Sequence, residues 1–138
     1  MNRRVQPEQG SPEPVFFIDR SLGRRQVAQA LLEAGAKVLL HDDLFGQHTS
    51  DVDWLQEAGT QGWIVLTKDS AIRRNPHERQ MVQDARVRMF ALTQKGLTGE
   101  QMAALFAKAL PGMRKRIAKT QAPFVFSILR GGEIRREL

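Results

Sequence analysis

Short apolar runs alternate with amphipathic segments along the chain, and the runs predict β-strands. They occupy residues 15–18, 37–40, 63–66, 87–92 and 123–129. The run at 63–66 is bounded by Gly62 before it and by Thr67, Lys68 and Asp69 after it. Four apolar residues in succession are typical of a central parallel strand, which is buried on both faces. We therefore predict that the sheet is built around this strand, and that Asp69 lies at its ligand-binding edge.

The segments between these runs carry apolar residues at helical spacing and begin with residues typical of helix starts. Predicted N-caps are Ser21, Ser50 and Thr98, and Pro76 suits the first position of a helix that reaches residue 85. In the first of these helices, residues 23–25 are expected to form the first turn. Gly35 is expected to end that helix, and glycines at 59–62 the second.

Two glycine-containing pairs are expected to redirect the chain near its C-terminus. Pro111-Gly112 should bend or restart the helix that begins after Thr98. Gly131-Gly132 permits a turn back through residues 133–138.

The alternation of strand and helix predicts an α/β fold: a single three-layer domain with a mostly parallel central sheet and right-handed crossovers. The length of 138 residues suits one domain with a sizeable core. Residues 14–138 are assigned to this domain. Residues 1–13 are rich in Pro, Gln, Glu and Gly, and they are predicted to form a disordered tail.

The composition excludes several classes of protein. The absence of cysteine excludes thiol chemistry and zinc knuckles, and it fits a reducing compartment. No apolar run approaches the ~20 residues of a membrane span, and no apolar segment follows the basic start in the manner of a signal peptide. We expect a cytoplasmic protein without a membrane partner.

The net charge of +6 is unevenly distributed along the chain. Residues 14–69 contain 5 basic and 8 acidic side chains, whereas residues 70–138 contain 14 basic and 5 acidic ones. An acidic half followed by a strongly basic half suggests a cation site beside a surface that binds a polyanion. The alternative is a basic surface without a specific partner.

Acidic residues follow three of the predicted strands, at Asp19, at Asp42-Asp43 and at Asp69. Parallel strands place these ends at one edge, where Asp51 and Asp53 of a helix start are expected to join them. Several carboxylates in one cleft require protonation or a cation, and Mg²⁺ or Mn²⁺ is the natural choice for oxygen ligands.

Each of these residues also has a structural alternative. Asp51 can favour the helix dipole and Asp53 can complete a helix cap, while Asp42 and Asp43 can simply begin a loop. A single histidine, His41, is interpreted as a strand-end residue rather than a ligand.

The order and spacing of three short motifs resemble the PIN-like domains, in the branch close to VapC-type toxins of toxin–antitoxin systems. The motifs are Phe16-Phe17-Ile18-Asp19-Arg20-Ser21-Leu22-Gly23, Ser50-Asp51-Val52-Asp53-Trp54, and Gly62-Trp63-Ile64-Val65-Leu66-Thr67-Lys68-Asp69 followed by Ile72-Arg73-Arg74-Asn75-Pro76. The resemblance extends from about residue 15 to the C-terminus. It implies a Mg²⁺- or Mn²⁺-dependent endoribonuclease with RNA as substrate and, in a toxin, an antitoxin protein as partner.

The same resemblance implies the metal ligands. The first-strand acid of the family corresponds to Asp19, and the acid after the Thr-Lys pair corresponds to Asp69. The middle acid falls at Asp51 or Asp53, and we favour Asp53 because the adjacent Trp54 fixes the register; Asp43 is a further candidate. The fourth acid of typical PIN sites has no counterpart after Asp69, which leaves the number of metals at one or two.

Basic residues around the predicted site are candidates for binding RNA phosphates. Arg73, Arg74 and Arg79 follow Asp69, and Arg20 and Lys68 lie beside the acidic strand ends. The alternative is a solvated loop ahead of a helix.

Two other functions are compatible with a strand-end carboxylate cluster. A PIN-like module without metal affinity would bind RNA or protein without cutting it, and magnesium titration would distinguish it from the enzyme. A receiver domain would need an acidic pair after the first strand, whereas Asp19 is followed by Arg20. We expect the ribonuclease, with a homodimer as a compatible assembly.

Overall fold

A six-stranded sheet forms the centre of the structure, a computed structural model that describes residues 13–68 and 75–138. The strands lie in the order β2-β1-β3-β4-β5-β6. The strands β1 to β5 are parallel to one another, and β6 is antiparallel to β5. The strands are β1 (Val15–Ile18), β2 (Lys37–Leu40), β3 (Ile64–Thr67), β4 (Arg88–Leu92), β5 (Phe124–Ile128) and β6 (Ile134–Arg136).

Within the described residues, five α-helices and one 3-10 turn connect the strands. The helices are α1 (Gln26–Glu33), α2 (His41–Leu44), α3 (Asp51–Gln61), α4 (Pro76–Ala85) and α5 (Gly99–Lys119), and the 3-10 turn is Arg20–Leu22. No helix within the described ranges combines the length and the apolar character needed to cross a membrane.

The predicted central strand is confirmed as β3, which pairs with β1 on one side and β4 on the other. All four of its residues are buried. Its side chains alternate between the two faces: Ile64 and Leu66 join one apolar cluster, and Val65 joins the other. Burial on both faces explains why this run lacks the polar alternation of a surface strand.

Helices cover both faces of the sheet, which confirms the three-layer α/β fold. On one face, α1 and α5 pack on each other and on the sheet through Leu31, Phe106 and their neighbours. On the other face, Trp54 and Ala58 of α3 and Val82 of α4 pack on Phe17 and Val65. The strands β1 to β5 therefore contribute alternate residues to two separate cores.

The closeness of α3 and α4 depends on Gly59. A Cβ atom at this position would lie 1.8 Å from the carbonyl oxygen of Ala85, the last residue of α4. No larger residue fits there unless one helix backbone moves. Gly59 therefore sets the distance between the two helices.

The predicted helix start at Ser21 is wrong. Ser21 lies in the 3-10 turn, and α1 begins only at Gln26, so residues 23–25 precede the helix. The Ser21 hydroxyl donates to the Asp19 carboxylate instead of accepting a helix N–H. A serine shortly after a strand can cap a helix or donate a hydrogen bond to a nearby side chain. Here its hydroxyl donates to the Asp19 carboxylate.

Pro111 does not restart the last helix, because α5 runs without interruption from Gly99 to Lys119. Buried residues on both sides of the proline, including Leu110 and Met113, hold α5 on the sheet. Their packing offsets the lost backbone hydrogen bond. The other predicted ends are confirmed: Ser50 and Thr98 cap their helices, and Gly62 adopts a left-handed conformation after α3.

Candidate functional site: a carboxylate cleft

The ends of β1 and β3 lie side by side at the carboxyl edge of the sheet. Ile18 pairs with Leu66, and the backbone N–H of Asp19 donates to the Leu66 carbonyl oxygen at 3.0 Å. Asp19 is thus fixed by the sheet ladder itself, immediately beside Thr67. This is the position at which open α/β sheets bind their ligands.

Two hydroxyl groups orient the Asp19 carboxylate. Thr67 Oγ1 and Ser21 Oγ each donate a 2.8 Å hydrogen bond to its Oδ2 atom. Thr67 is only 3% exposed, and Ser21 Oγ also accepts the backbone N–H of Lys68 at 3.1 Å. No described residue donates a hydrogen bond to Oδ1, so this oxygen can serve a ligand.

A second carboxylate is positioned by the first turn of α3. Ser50 caps the helix, and Asp51 occupies the first helical position. Trp54 Nε1 donates a 2.9 Å hydrogen bond to Asp51 Oδ1. The Trp54 ring is itself buried against Phe17, with 5.4 Å between ring centroids. A core side chain therefore holds the Asp51 carboxylate.

A third carboxylate comes from α4. Asn75 caps this helix by accepting backbone N–H groups of His77 and Glu78, which places Glu78 in the first turn. The sequence motifs do not indicate Glu78 as a site acid. The sequence feature that could have indicated Glu78 is the Asn75-Pro76 helix start. It places an acidic residue in the first turn of the helix that follows β3.

Together these residues line one cleft of about 60 Å³, which we call the carboxylate cleft. Its lining consists of Asp19, Asp51, Trp54, Leu55, Thr67, Glu78, Met81 and Met89. Asp19, Asp51 and Glu78 contribute the acidic groups, while Leu55, Met81 and Met89 make the remaining wall apolar. Like charges in such a cleft favour a bound cation.

The donor set fits a hard divalent ion, because it consists of carboxylate and hydroxyl oxygens. Within residues 13–68 and 75–138, no three His, Asp or Glu side chains are close enough to enclose a metal ion. Mg²⁺ commonly keeps several water molecules and uses one or two protein carboxylates, so a full protein cage is unnecessary.

Asp53 is exposed and is not among the residues that line the cleft. Its backbone N–H donates to Ser50 Oγ at 3.2 Å as part of the helix cap. The geometry therefore favours Asp51 over Asp53 as the middle acid.

The other acidic candidates lie elsewhere at the same edge. Asp42 and Asp43 belong to α2, where Asp42 forms an ion pair with Arg20 at 3.1 Å. His41 is buried, and its ring lies 5.8 Å from that of Trp54 between centroids. Asp69, like Arg73 and Arg74, lies outside the described residues.

Two further basic candidates, Lys68 and Arg79, lie within the described residues. Lys68 is exposed directly after β3. Arg79 is half-buried on α4, and its Nη2 atom donates to the Glu137 carbonyl oxygen at 3.4 Å. This contact ties α4 to the C-terminus, so Arg79 also has a structural role.

Comparison with known proteins agrees with this architecture. The family model described as "PIN like domain" matches residues 14–94. The chain is 35% identical over 117 residues to "Putative ribonuclease VapC45" of Mycobacterium tuberculosis (strain ATCC 25618 / H37Rv), covering 82% of this chain and 84% of that protein. No solved structure gives a significant match. The chain belongs to the PIN-like domain family, in the branch of the VapC-type proteins.

Proposed function

We propose that the protein is a Mg²⁺- or Mn²⁺-dependent endoribonuclease that acts as the toxin of a toxin–antitoxin pair. The observation that carries this proposal is the Asp19 carboxylate, held by Thr67 and Ser21 in one cleft with Asp51 and Glu78. Family membership and the name of the mycobacterial relative support RNA as the substrate. An antitoxin protein is the corresponding partner.

In this proposal, Asp19 and Asp51 are the principal metal-holding residues, with Glu78 beside them and Asp69 supplied by the segment after β3. Asp53 remains the direct alternative to Asp51. A divalent ion bound there supplies a water of lowered pKa and stabilises negative charge on the phosphate.

The chain's own residues prepare the cleft for this chemistry. Thr67 and Ser21 fix one oxygen of Asp19, and Trp54 fixes one oxygen of Asp51. Both carboxylates are therefore oriented before a ligand arrives, which lowers the reorganisation needed on binding. The apolar wall formed by Leu55 and Met89 limits water on one side of the cleft, which strengthens electrostatic interactions inside it.

Basic side chains at the same edge are proposed to bind the RNA backbone. Lys68 follows β3, and Arg73 and Arg74 follow Asp69 in sequence. Arg20 and Arg79 complete the set. Contacts of this kind position the substrate without reading its sequence.

Thermal unfolding tests the metal component of the proposal. Mg²⁺ or Mn²⁺ should raise the melting temperature of the wild type by mass action, and a chelator should reverse the rise. RNA cleavage should follow the same dependence on metal and chelator. A protein that binds RNA, gains no stability from either ion and never cuts would instead be a silent PIN-like binding module.

A further inference from the structure

A second cavity, of about 500 Å³, lies on the opposite side of the β1 end from the carboxylate cleft. We call it the arginine pocket, because Arg20, Arg24 and Arg25 contribute to its lining, together with the acidic pair Asp42 and Asp43. Its volume lies within the ~300–1,000 Å³ range of small-ligand sites. It is much larger than the carboxylate cleft and is not part of it.

The chain at the end of β1 runs between the two cavities. Ile18 and Arg20 line the arginine pocket, whereas Asp19 between them lines the carboxylate cleft. Consecutive Cα atoms are about 3.8 Å apart, so one residue separates the two cavities. A chain molecule with a group in the cleft can therefore place its next unit in the pocket.

The basic side of the pocket is partly preorganised. Arg20 Nη1 donates to the Gln47 carbonyl oxygen at 3.2 Å, and Arg20 Nε lies 3.1 Å from Asp42 Oδ1. These contacts fix the guanidinium group and leave its Nη2 donors for a ligand. Arg24 Nε lies 3.7 Å from the other Asp42 oxygen. In the described part of the chain, no carboxylate lies within ion-pair distance of Arg25.

Four apolar residues also line the pocket. Ile18 and Ala28 are buried at its base, and Leu40 and Leu32 continue the wall. Leu32 is 52% exposed. A flat apolar group placed against this wall would cover Leu32 and release water from it.

We propose that the arginine pocket binds a nucleotide of the RNA substrate adjacent to the scissile phosphate. The base lies against the Leu32 and Ala28 wall. Its phosphate is bound by Arg25 and by the guanidinium donors of Arg20 and Arg24 that Asp42 and the Gln47 carbonyl oxygen do not occupy. The inference rests on the proposed ribonuclease function. It adds a base-binding subsite, which backbone contacts alone do not provide.

Binding of single nucleotides tests this proposal without any cleavage step. The full chain, isotopically labelled and kept in chelator, is titrated with each nucleoside 5′-monophosphate and, separately, with ribose 5-phosphate and followed by amide NMR spectra. The chelator keeps metal out of the carboxylate cleft. At least one nucleotide should give saturable shifts at Gly23, Ala28 and Gln29, with affinity at least about fivefold above that of ribose 5-phosphate.

Paired variants show whether the arginines carry the binding. The double substitution Arg24→Gln/Arg25→Gln should weaken nucleotide binding about tenfold. Lys115→Gln/Lys119→Gln removes the same charge from exposed positions near the far end of α5 and should leave the affinity unchanged.

Several results would overturn the proposal: no saturable shifts at the pocket, equal affinity for ribose 5-phosphate, or equal loss in both double variants. Tighter binding of a poly-glutamate peptide than of any nucleotide would assign the pocket to a protein partner instead. Failure of the pocket proposal and failure of the proposed nuclease function give different results. Nucleotide binding without RNA cleavage contradicts the nuclease alone, and metal-dependent cleavage without nucleotide binding contradicts the pocket alone.

Discussion

Thr67 Oγ1 donates a 2.8 Å hydrogen bond to Oδ2 of Asp19 and so joins the carboxyl ends of the two neighbouring strands β3 and β1. The two residues are 48 positions apart in sequence. Their contact fixes the side chain on which the proposed metal site depends. Thr67 is buried, so its hydroxyl has little competition from water.

Substitution of Thr67 tests the value of this contact. Thr67→Val keeps the side-chain shape and removes the donor, so metal-dependent RNA cleavage should fall about tenfold, as expected for loss of one hydrogen bond to a charged group. The melting temperature should also fall by several degrees, because the same buried hydrogen bond contributes to folding stability. Thr120→Val, after the end of α5, is the control and should keep full activity. Wild-type cleavage by Thr67→Val would show that Asp19 needs no such support.

The two candidate middle acids can be compared directly. Asp51→Asn should abolish most of the metal-induced rise in melting temperature, because Asp51 lines the carboxylate cleft. Asp53→Asn makes the same chemical change two residues away, outside the cleft lining, and should retain the rise. The reverse result would restore Asp53 as the ligand, as the family register predicts.

Trp54 is expected to act as a positioning residue for Asp51. Trp54→Phe keeps an aromatic ring against Phe17 but removes the N–H that donates to Asp51 Oδ1. Apparent Mn²⁺ affinity should fall about tenfold, at the lower end of the ~10–100-fold effect typical of partners of metal ligands. Isothermal titration with Mn²⁺ measures this. An unchanged affinity in a folded Trp54→Phe protein would limit Trp54 to core packing.

Gly59 links the packing of α3 and α4 to the shape of the cleft. Gly59→Ala places a Cβ atom against the Ala85 carbonyl oxygen, so the helices must separate at a cost of about 1–3 kcal/mol in the free energy of unfolding. Since α3 carries Asp51 and α4 carries Glu78, metal affinity should fall as well. Gln56→Ala, at an exposed position of α3, is the control for denaturant unfolding. Equal stability of both variants would contradict the close contact.

The sequence predicted most of the fold because its signals were local. The apolar run of β3 indicated a doubly buried strand, and Ser50, Thr98 and Gly62 indicated helix ends through their own side chains or backbone freedom. These features depend on a few neighbouring residues. The parallel sheet then followed from the alternation of strands and helices.

The parts that the sequence could not predict depend on contacts between distant segments. In the sequence, Ser21 fits a helix cap as well as it fits a side-chain partner. Only the structure shows that it lies beside Asp19 and Thr67. The position of Glu78 in the cleft depends on the packing of α4 against α3, which Gly59 permits. The choice between Asp51 and Asp53 likewise depends on which face of α3 borders β1.

The most direct test of the account is RNA cleavage by Asp19→Asn in the presence of Mn²⁺. An asparagine at this position can still accept hydrogen bonds from Thr67 and Ser21, so the fold should remain intact while the charge that holds the cation is lost. Asp84→Asn, at an exposed position of α4, is the matched control and should cut RNA as the wild type does. Cleavage by Asp19→Asn should drop by orders of magnitude while RNA affinity stays constant or rises. Cleavage at the wild-type rate by purified Asp19→Asn would contradict the metal-nuclease account.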